Sequence, residues 1–480
     1  MSGLLAKAES AAHFLLNLAR WLALAIIVIL PWLIGGVQPV TLRLFLFWSH
    51  LCGACALIAW ILRLRLPALP PLLPLICLAI CSLGWFSIFN ARFIYDPAFF
   101  QFVPLSQKFP GWMGSHSLFS SELSIWRIQG LLIILLILTD ACRRSFWRKR
   151  CLKCLFLSGG LLVVFGLLQE LFQAPSIYWL SWNTGESFFA SYVYHGNAGA
   201  FLNLCWPLAW VVLLSHPTDP SAQLWKKTAC WLAALFAIGL WVNTSRAAAG
   251  IGTLTMILTA GLVLVSPFRH RLLQLGAWLR LLLALALGSL ALAAAAGLLL
   301  PTQLRWNRWA ESEFAFDQGR SVVFEICGNI IREQPWFGHG PGTFATLFPF
   351  KSGALGSLVP GVWQYAHSDY LQTLVEWGWI GLALFLLLIL GAMGRVFAKT
   401  VLKTESAGAE DRLLCYGCCI ALMTVLLHAA VDFPLQILSI QAWTVTLLAI
   451  CWSRNGSGEK ASLTGSPQSS AKDKILSKSS

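Results

Sequence analysis

The feature that most constrains this chain is a recurring apolar run of about 18–22 residues, enough for an α-helix to cross a hydrocarbon layer roughly 30 Å thick. Lipid offers backbone N–H and C=O groups no partner, so such runs must close their hydrogen bonds internally, as helices. Twelve of them fall at residues 18–37, 42–62, 69–89, 123–140, 152–173, 197–214, 228–243, 247–266, 280–300, 369–393, 413–431 and 433–452. With 58% hydrophobic and 11% charged residues, the composition lies far from a soluble domain's. The fold class that follows is an all-α polytopic membrane protein of about twelve transmembrane helices.

Residues 1–300 hold helices one to nine and residues 369–453 helices ten to twelve, separated by a large polar loop over residues 301–368. Residues 454–480 are rich in Gly, Ser and Lys without an apolar period, and read as a disordered cytoplasmic tail. Charge sets the expected orientation. With the N-terminus inside, inner segments carry 24 of the 34 Lys and Arg residues, so both termini are expected to be cytoplasmic. The formal charge of +14 is then a matter of topology and of attraction to anionic lipid, with no call for nucleic acid. The N-terminal run lacks an A-x-A cleavage site, so an uncleaved first helix is expected.

The fourteen cysteines mostly lie within apolar runs or on their basic flanks, where they behave as small hydrophobes rather than as a disulfide framework. Their CxxC spacings have no accompanying histidines, and no HxxxH or HExxH occurs, so no metal site and no cofactor is expected. Asn90 to Glu122, with Phe99, Phe100 and Trp112, suits the membrane interface.

The long loop is about 65 residues, a length that usually marks a working segment or a disordered one. Its Val322, Val323, Ile326, Ile330 and Ile331 follow a helical period from Arg320 to Gln334, with Pro335 as the stop. Arg246 opens a span and Arg320 opens this loop helix. Arginines at helix ends snorkel to headgroups, but a planar guanidinium beside free helix N–H groups also suits phosphate oxygens. His367 precedes Ser368, a good N-cap, and Asp369 occupies the first turn, where a carboxylate is favoured. Asp369, Gln372, Thr373 and Glu376 share one helix face, which must look toward protein or a cavity. His339, among Gly338, Gly340 and Gly342, reads as a turn residue outside any nucleotide-loop spacing. His195 with Asn197 opens the sixth span, and His428 with Asp432, four apart, suits a structural pair.

Four pieces carry a family likeness. They are Ser245-Arg246-Ala247-Ala248; Gly319-Arg320 leading to Pro335-Trp336-Phe337-Gly338-His339-Gly340-Pro341-Gly342; Ala366-His367-Ser368-Asp369-Tyr370-Leu371-Gln372 to Glu376-Trp377-Gly378; and Val431-Asp432-Phe433-Pro434-Leu435-Gln436. In order and spacing, over roughly residues 190–440, the chain resembles the O-antigen ligase and polymerase superfamily of bacterial membrane glycosyltransferases. The resemblance implies a GT-C-like fold and an inverting, metal-independent enzyme of the bacterial plasma membrane. It would move a glycan from undecaprenyl diphosphate to an acceptor hydroxyl, such as that of a lipid A-core, at the outer face. Arg246 and Arg320 would hold the diphosphate and His367 would activate the acceptor, supported by Asp369, Glu376, His195, His339 and Asp432. Partners would be the lipid-linked glycan, a glycolipid or glycan acceptor and membrane lipid. The family often has Asn after the histidine; Ser368 leaves a backbone contact there but no side-chain amide. No large soluble C-terminal domain follows, which points away from the protein-glycosylating branch. The alternatives are a polysaccharide polymerase and a small-anion transporter. A transporter, however, concentrates charge and broken helices near the midplane, whereas these ionisable groups gather at the two surfaces.

Overall fold

The computed structural model describes residues 2–64, 66–180, 188–215, 222–273, 288, 313–359, 361–400 and 408–453. In chain order the helices are α1 Ser2–Ile29, α2 Pro39–Arg63, α3 Leu72–Phe89, α4 Leu118–Ala141, α5 Ser145–Leu171, α6 His195–Leu214 and α7 Ala222–Val242. Then come α8 Arg246–Val265, α9 Arg269–Leu273, α10 Glu313–Glu333, α11 Phe344–Lys351, α12 Asp369–Thr400, α13 Ala409–Ala429 and α14 Leu438–Trp452. Among the described residues nine helices are long and apolar enough to cross a membrane. With α7 and the shorter α14, eleven of the twelve apolar runs are helices, and the run at 280–300 lies outside the described residues. The chain is a multi-pass, all-α membrane protein.

Burial sorts the bundle into layers. Beyond its first residue α6 is buried on every side, and α14 is buried throughout except at Gln441, so these two stand at the centre. A helix apolar all round is stable only when surrounded. At 15 residues α14 reaches about 22 Å, less than a bilayer core, but its ends meet protein rather than lipid. Around this pair, α2, α3, α8 and α12 expose large apolar side chains such as Phe47, Leu75, Leu258 and Leu390, a surface suited to lipid.

Two helix boundaries and one helix interior depart from the hydropathy reading for local reasons. The first helix ends at Ile29, and residues 30–36 form two 3₁₀ turns around Gly35. Gly35 has φ +64°, and a Cβ on it would sit 2.7 Å from the Tyr192 ring. The last span starts at Leu438, because Asp432-Phe433-Pro434 turns the chain. In α12, Gly378 takes φ 64° and ψ −169° and interrupts the helix.

At one end of the bundle, called here the site end, lie the starts of α4, α6, α8, α12 and α14. Residues 90–117 add a short antiparallel hairpin, Phe93–Asp96 (β1) paired with Gln101–Pro104 (β2). Phe99 and Phe100 are exposed at its tip. Four-residue strands carry too little period-two signal to be read from sequence. Within the large loop, α10 starts earlier than the apolar period suggests and buries Val323, Ile326, Cys327 and Ile330 against Phe344, Phe348, Val359 and Val375. Its apolar face therefore packs on protein. At the opposite, basic end, Arg20 meets Asp140 at 2.9 Å and Arg148 forks onto Asp411 at 3.0 Å from both Nε and Nη2.

Candidate active site

His367 stands at the end of the irregular stretch before α12 that also carries Trp363 and Tyr365, and its φ of 52° turns the chain into that helix. Ser368 caps that helix, its Oγ accepting from the Leu371 N–H at 3.5 Å. The turn after α13 then lays Asp432 against the imidazole: Asp432 Oδ1 lies 3.3 Å from His367 Nδ1. Asp432 Oδ2 lies 3.9 Å from His428 Nε2. The spacing of four had pointed to His428 as the partner of Asp432, yet His367 is the nearer imidazole. Burial pushes the Asp432 carboxyl up, but the two facing imidazoles outweigh it and hold it well below the usual carboxylate range. The backbone fixes the geometry: the Asp369 N–H donates to the Asp432 carbonyl at 3.1 Å, and the Phe433 N–H to Oδ1 at 3.0 Å.

Aromatic rings enclose the imidazole. Tyr194, Phe433 and Tyr365 stack with centroids 5.4 and 4.3 Å apart, and the His367 ring stands edge-on to Phe433 at 4.8 Å and to Trp363 at 5.3 Å. Sequence reading passed over these rings. The alternation of 363, 365 and 367 was their only trace.

The two candidate arginines approach through neighbouring elements. Ser245 caps α8 by accepting from the Ala248 N–H at 3.3 Å, which sets Arg246 in the first turn. The preceding Asn243 donates to the His195 carbonyl at 2.9 Å, tying this helix start to that of α6. There Gly196 abuts the carboxylate of Asp432, and a Cβ would lie 2.3 Å from Oδ2, so only glycine fits. From the other side, a Cβ on Gly319, next to Arg320 in α10, would lie 3.5 Å from the Trp363 ring. One run of contacts thus leads from the start of α8 through His195, Gly196, Asp432, His367 and Trp363 to Gly319 of α10.

The remaining candidates hold chain rather than face this centre. Asp369 accepts from the Leu435 N–H at 2.8 Å and from Gln436 Nε2 at 3.0 Å, pinning the turn behind Asp432. Glu376 accepts from the N–H groups of Gly342 at 2.8 Å and Phe344 at 3.4 Å, and from Gln372 Nε2 at 3.1 Å. His339 is a buried turn residue paired with His116, their Nδ1 atoms 3.3 Å apart, and its Nε2 donates to the Ile330 carbonyl at 3.0 Å. Burial, then neighbouring His339 and Arg92, push the His116 imidazole down to about 3, and burial lowers His339 too. Among the described residues no three His, Cys, Asp or Glu side chains cluster as a metal site.

The comparison with protein families bears on the class. Residues 231–386 match the family model described as O-antigen ligase. Over that stretch, about a third of the chain, the protein is similar to the O-antigen ligase family, a likeness that supports a glycan transferase of the ligase and polymerase type. The matched stretch spans Arg246, Arg320, His339, His367, Asp369 and Glu376, while His195 and Asp432 lie outside it. No curated protein matches the chain.

Proposed function

We propose that this chain transfers a glycan from undecaprenyl diphosphate to an acceptor hydroxyl at the outer face of the bacterial plasma membrane, as an O-antigen ligase does. The observation that carries this reading is the His367–Asp432 pair, with the start of α8, where Arg246 stands, on one side and Gly319-Arg320, two turns into α10, on the other. A carboxylate at Nδ1 orients the ring and favours the tautomer whose Nε2 is free to accept a proton. The acceptor hydroxyl gives its proton to Nε2 as its oxygen attacks the anomeric carbon. The bond from that carbon to the diphosphate oxygen breaks, and the electron pair leaves on the diphosphate. Attack from the opposite side inverts the anomeric centre. Arg246 and Arg320 supply positive charge where the leaving group gathers negative charge, the task such donors perform best when fixed in advance. Positioned general-base catalysis is worth typically 10²–10⁴-fold.

The positive-inside distribution supports placing the site end outside, where a lipid-linked glycan presents its head. The test is transfer of labelled glycan from lipid-linked donor to acceptor by purified protein. His367→Ala and Arg320→Ala should each abolish transfer while the protein still inserts and purifies as a single species. A variant that purifies normally and keeps full activity would remove that residue from the mechanism. Glycan length on the lipid, with and without the protein, separates ligase from polymerase.

A further inference from the structure

A slot opens between α4 and α12, below the turn that Asp369 pins. Leu131, Leu132, Phe385, Leu388, Ile389 and Leu448 line its apolar length. The end toward the candidate site is polar, with Arg127 from α4 and Gln441 and Thr444 from one face of α14. Each of the three leaves a buried polar atom without a hydrogen-bond partner. Arg127 Nη1 donates to the Gln436 carbonyl at 3.3 Å, but its Nε has no acceptor. Gln441 Nε2 donates to the Leu435 carbonyl at 2.6 Å, while its Oε1 is unmatched, as is Thr444 Oγ1. Buried polar groups in native proteins are almost always matched, so three orphans on the walls of one cavity point to an absent molecule. That molecule must accept from a guanidinium, donate to the Gln441 amide oxygen and place hydrocarbon behind them.

The surrounding charge limits the head. Asp369 and Glu376 also border the polar end, and their oxygens are engaged by Leu435, Gln436, Gly342, Phe344 and Gln372. Two carboxylates so near disfavour every added negative charge, and so select a phosphodiester, which brings one, over a diphosphate, which brings more. Leu382 to Ile389 extends the apolar wall about 10 Å along α12, roughly two-thirds of one leaflet's hydrocarbon depth.

We propose that this slot binds a membrane phospholipid, its phosphodiester accepting from Arg127 and Thr444, a headgroup hydroxyl donating to Gln441 Oε1, and one acyl chain lying between α4 and α12. The bound lipid would brace the turn at Gln436, and with it Asp432 and His367. This site is separate from the transfer centre and does not depend on that reading. The experiment is native mass spectrometry of the full chain, stripped of lipid in detergent, titrated with phosphatidylglycerol. Diacylglycerol of the same chains, inorganic phosphate and undecaprenyl diphosphate serve as competitors. Phosphatidylglycerol should bind one to one, Arg127→Gln should weaken it roughly tenfold or more, and Leu388→Trp should block it while keeping the charge. Thr444→Val, a near-isosteric change, should weaken it less and guards against misfolding of the other two variants. Unchanged binding by both Arg127→Gln and Leu388→Trp would overturn the proposal. So would equal binding of diacylglycerol, protection by phosphate alone, or displacement by undecaprenyl diphosphate at equal concentration.

Discussion

Replacing Gly378 with alanine tests how the large loop is joined to the membrane bundle. Gly378 and Gly338 lie where two backbones cross. A Cβ on Gly378 would sit 2.4 Å from the Trp336 carbonyl carbon, and one on Gly338 would sit 2.4 Å from that of Glu376. Ordinary contact begins near 3.4 Å, so the methyl group must force the strands apart by about 1 Å. Four backbone bonds cross this junction: His339 N–H to Val375 O at 2.9 Å, Gly340 N–H to Glu376 O at 2.9 Å, Trp379 N–H to Pro335 O at 2.9 Å and Ile380 N–H to Trp336 O at 3.1 Å. Losing two of them costs roughly 1–3 kcal/mol. The φ/ψ pair of 64° and −169° adds about 1–3 kcal/mol for a residue with a side chain. The expected cost is therefore roughly 2–6 kcal/mol, read as a lower apparent Tm by fluorescence-detected size exclusion after heating. Gly394→Ala, on the same helix with nothing within 4 Å of the added methyl, is the control and should be neutral or slightly stabilising. If Gly378→Ala melted with the wild type, the crossing would not hold the loop.

Asp432→Asn keeps shape but removes the charge that faces His367 Nδ1; turnover should fall about 10²-fold or more with KM little changed, and an unaltered kcat would refute its orienting role. The buried His116–His339 pair should make the fold acid-sensitive. His116 is held far below its ordinary value, so the native state favours its neutral form. Its stabilisation is complete above about pH 6.5 and is lost as pH falls from there toward 3. The groups that act on this pair are Arg92, Lys351 and Glu333. Melting from pH 7 to 4 should show the loss in the wild type and a shallower one in His116→Asn; parallel curves would refute it. Arg148, forked onto Asp411 and donating to the Cys142 carbonyl at 2.7 Å, should not be replaceable by lysine. Arg148→Lys should lower apparent Tm nearly as far as Arg148→Met, and full rescue by lysine would show that charge alone suffices.

The helical bundle was legible because lipid allows few solutions: a run of about 20 apolar residues can satisfy its backbone there only as a helix. Local signals worked as well. Ser368 reads as a cap and is one, and Pro335 ends α10 where the apolar period stops. What escaped was set by contacts between segments far apart in the chain. Glu376 looked like part of a polar membrane stripe, yet its carboxylate binds the N–H groups of the glycine loop more than thirty residues earlier. Helix spacing pairs Asp432 with His428, and that pair is present, but the bend at Phe433-Pro434 and the space left by Gly196 also bring the carboxylate to His367, which no local spacing records.

By itself, then, the amino-acid order determined the membrane class, the helical elements and the residues able to do chemistry, since those depend on local periodicity and side-chain type. Tertiary packing alone decided which carboxylate meets which imidazole, which arginine-bearing helices border them, and where a guanidinium is left facing a slot. Those outcomes depend on helix crossings and backbone approaches across hundreds of residues, and no local pattern records them.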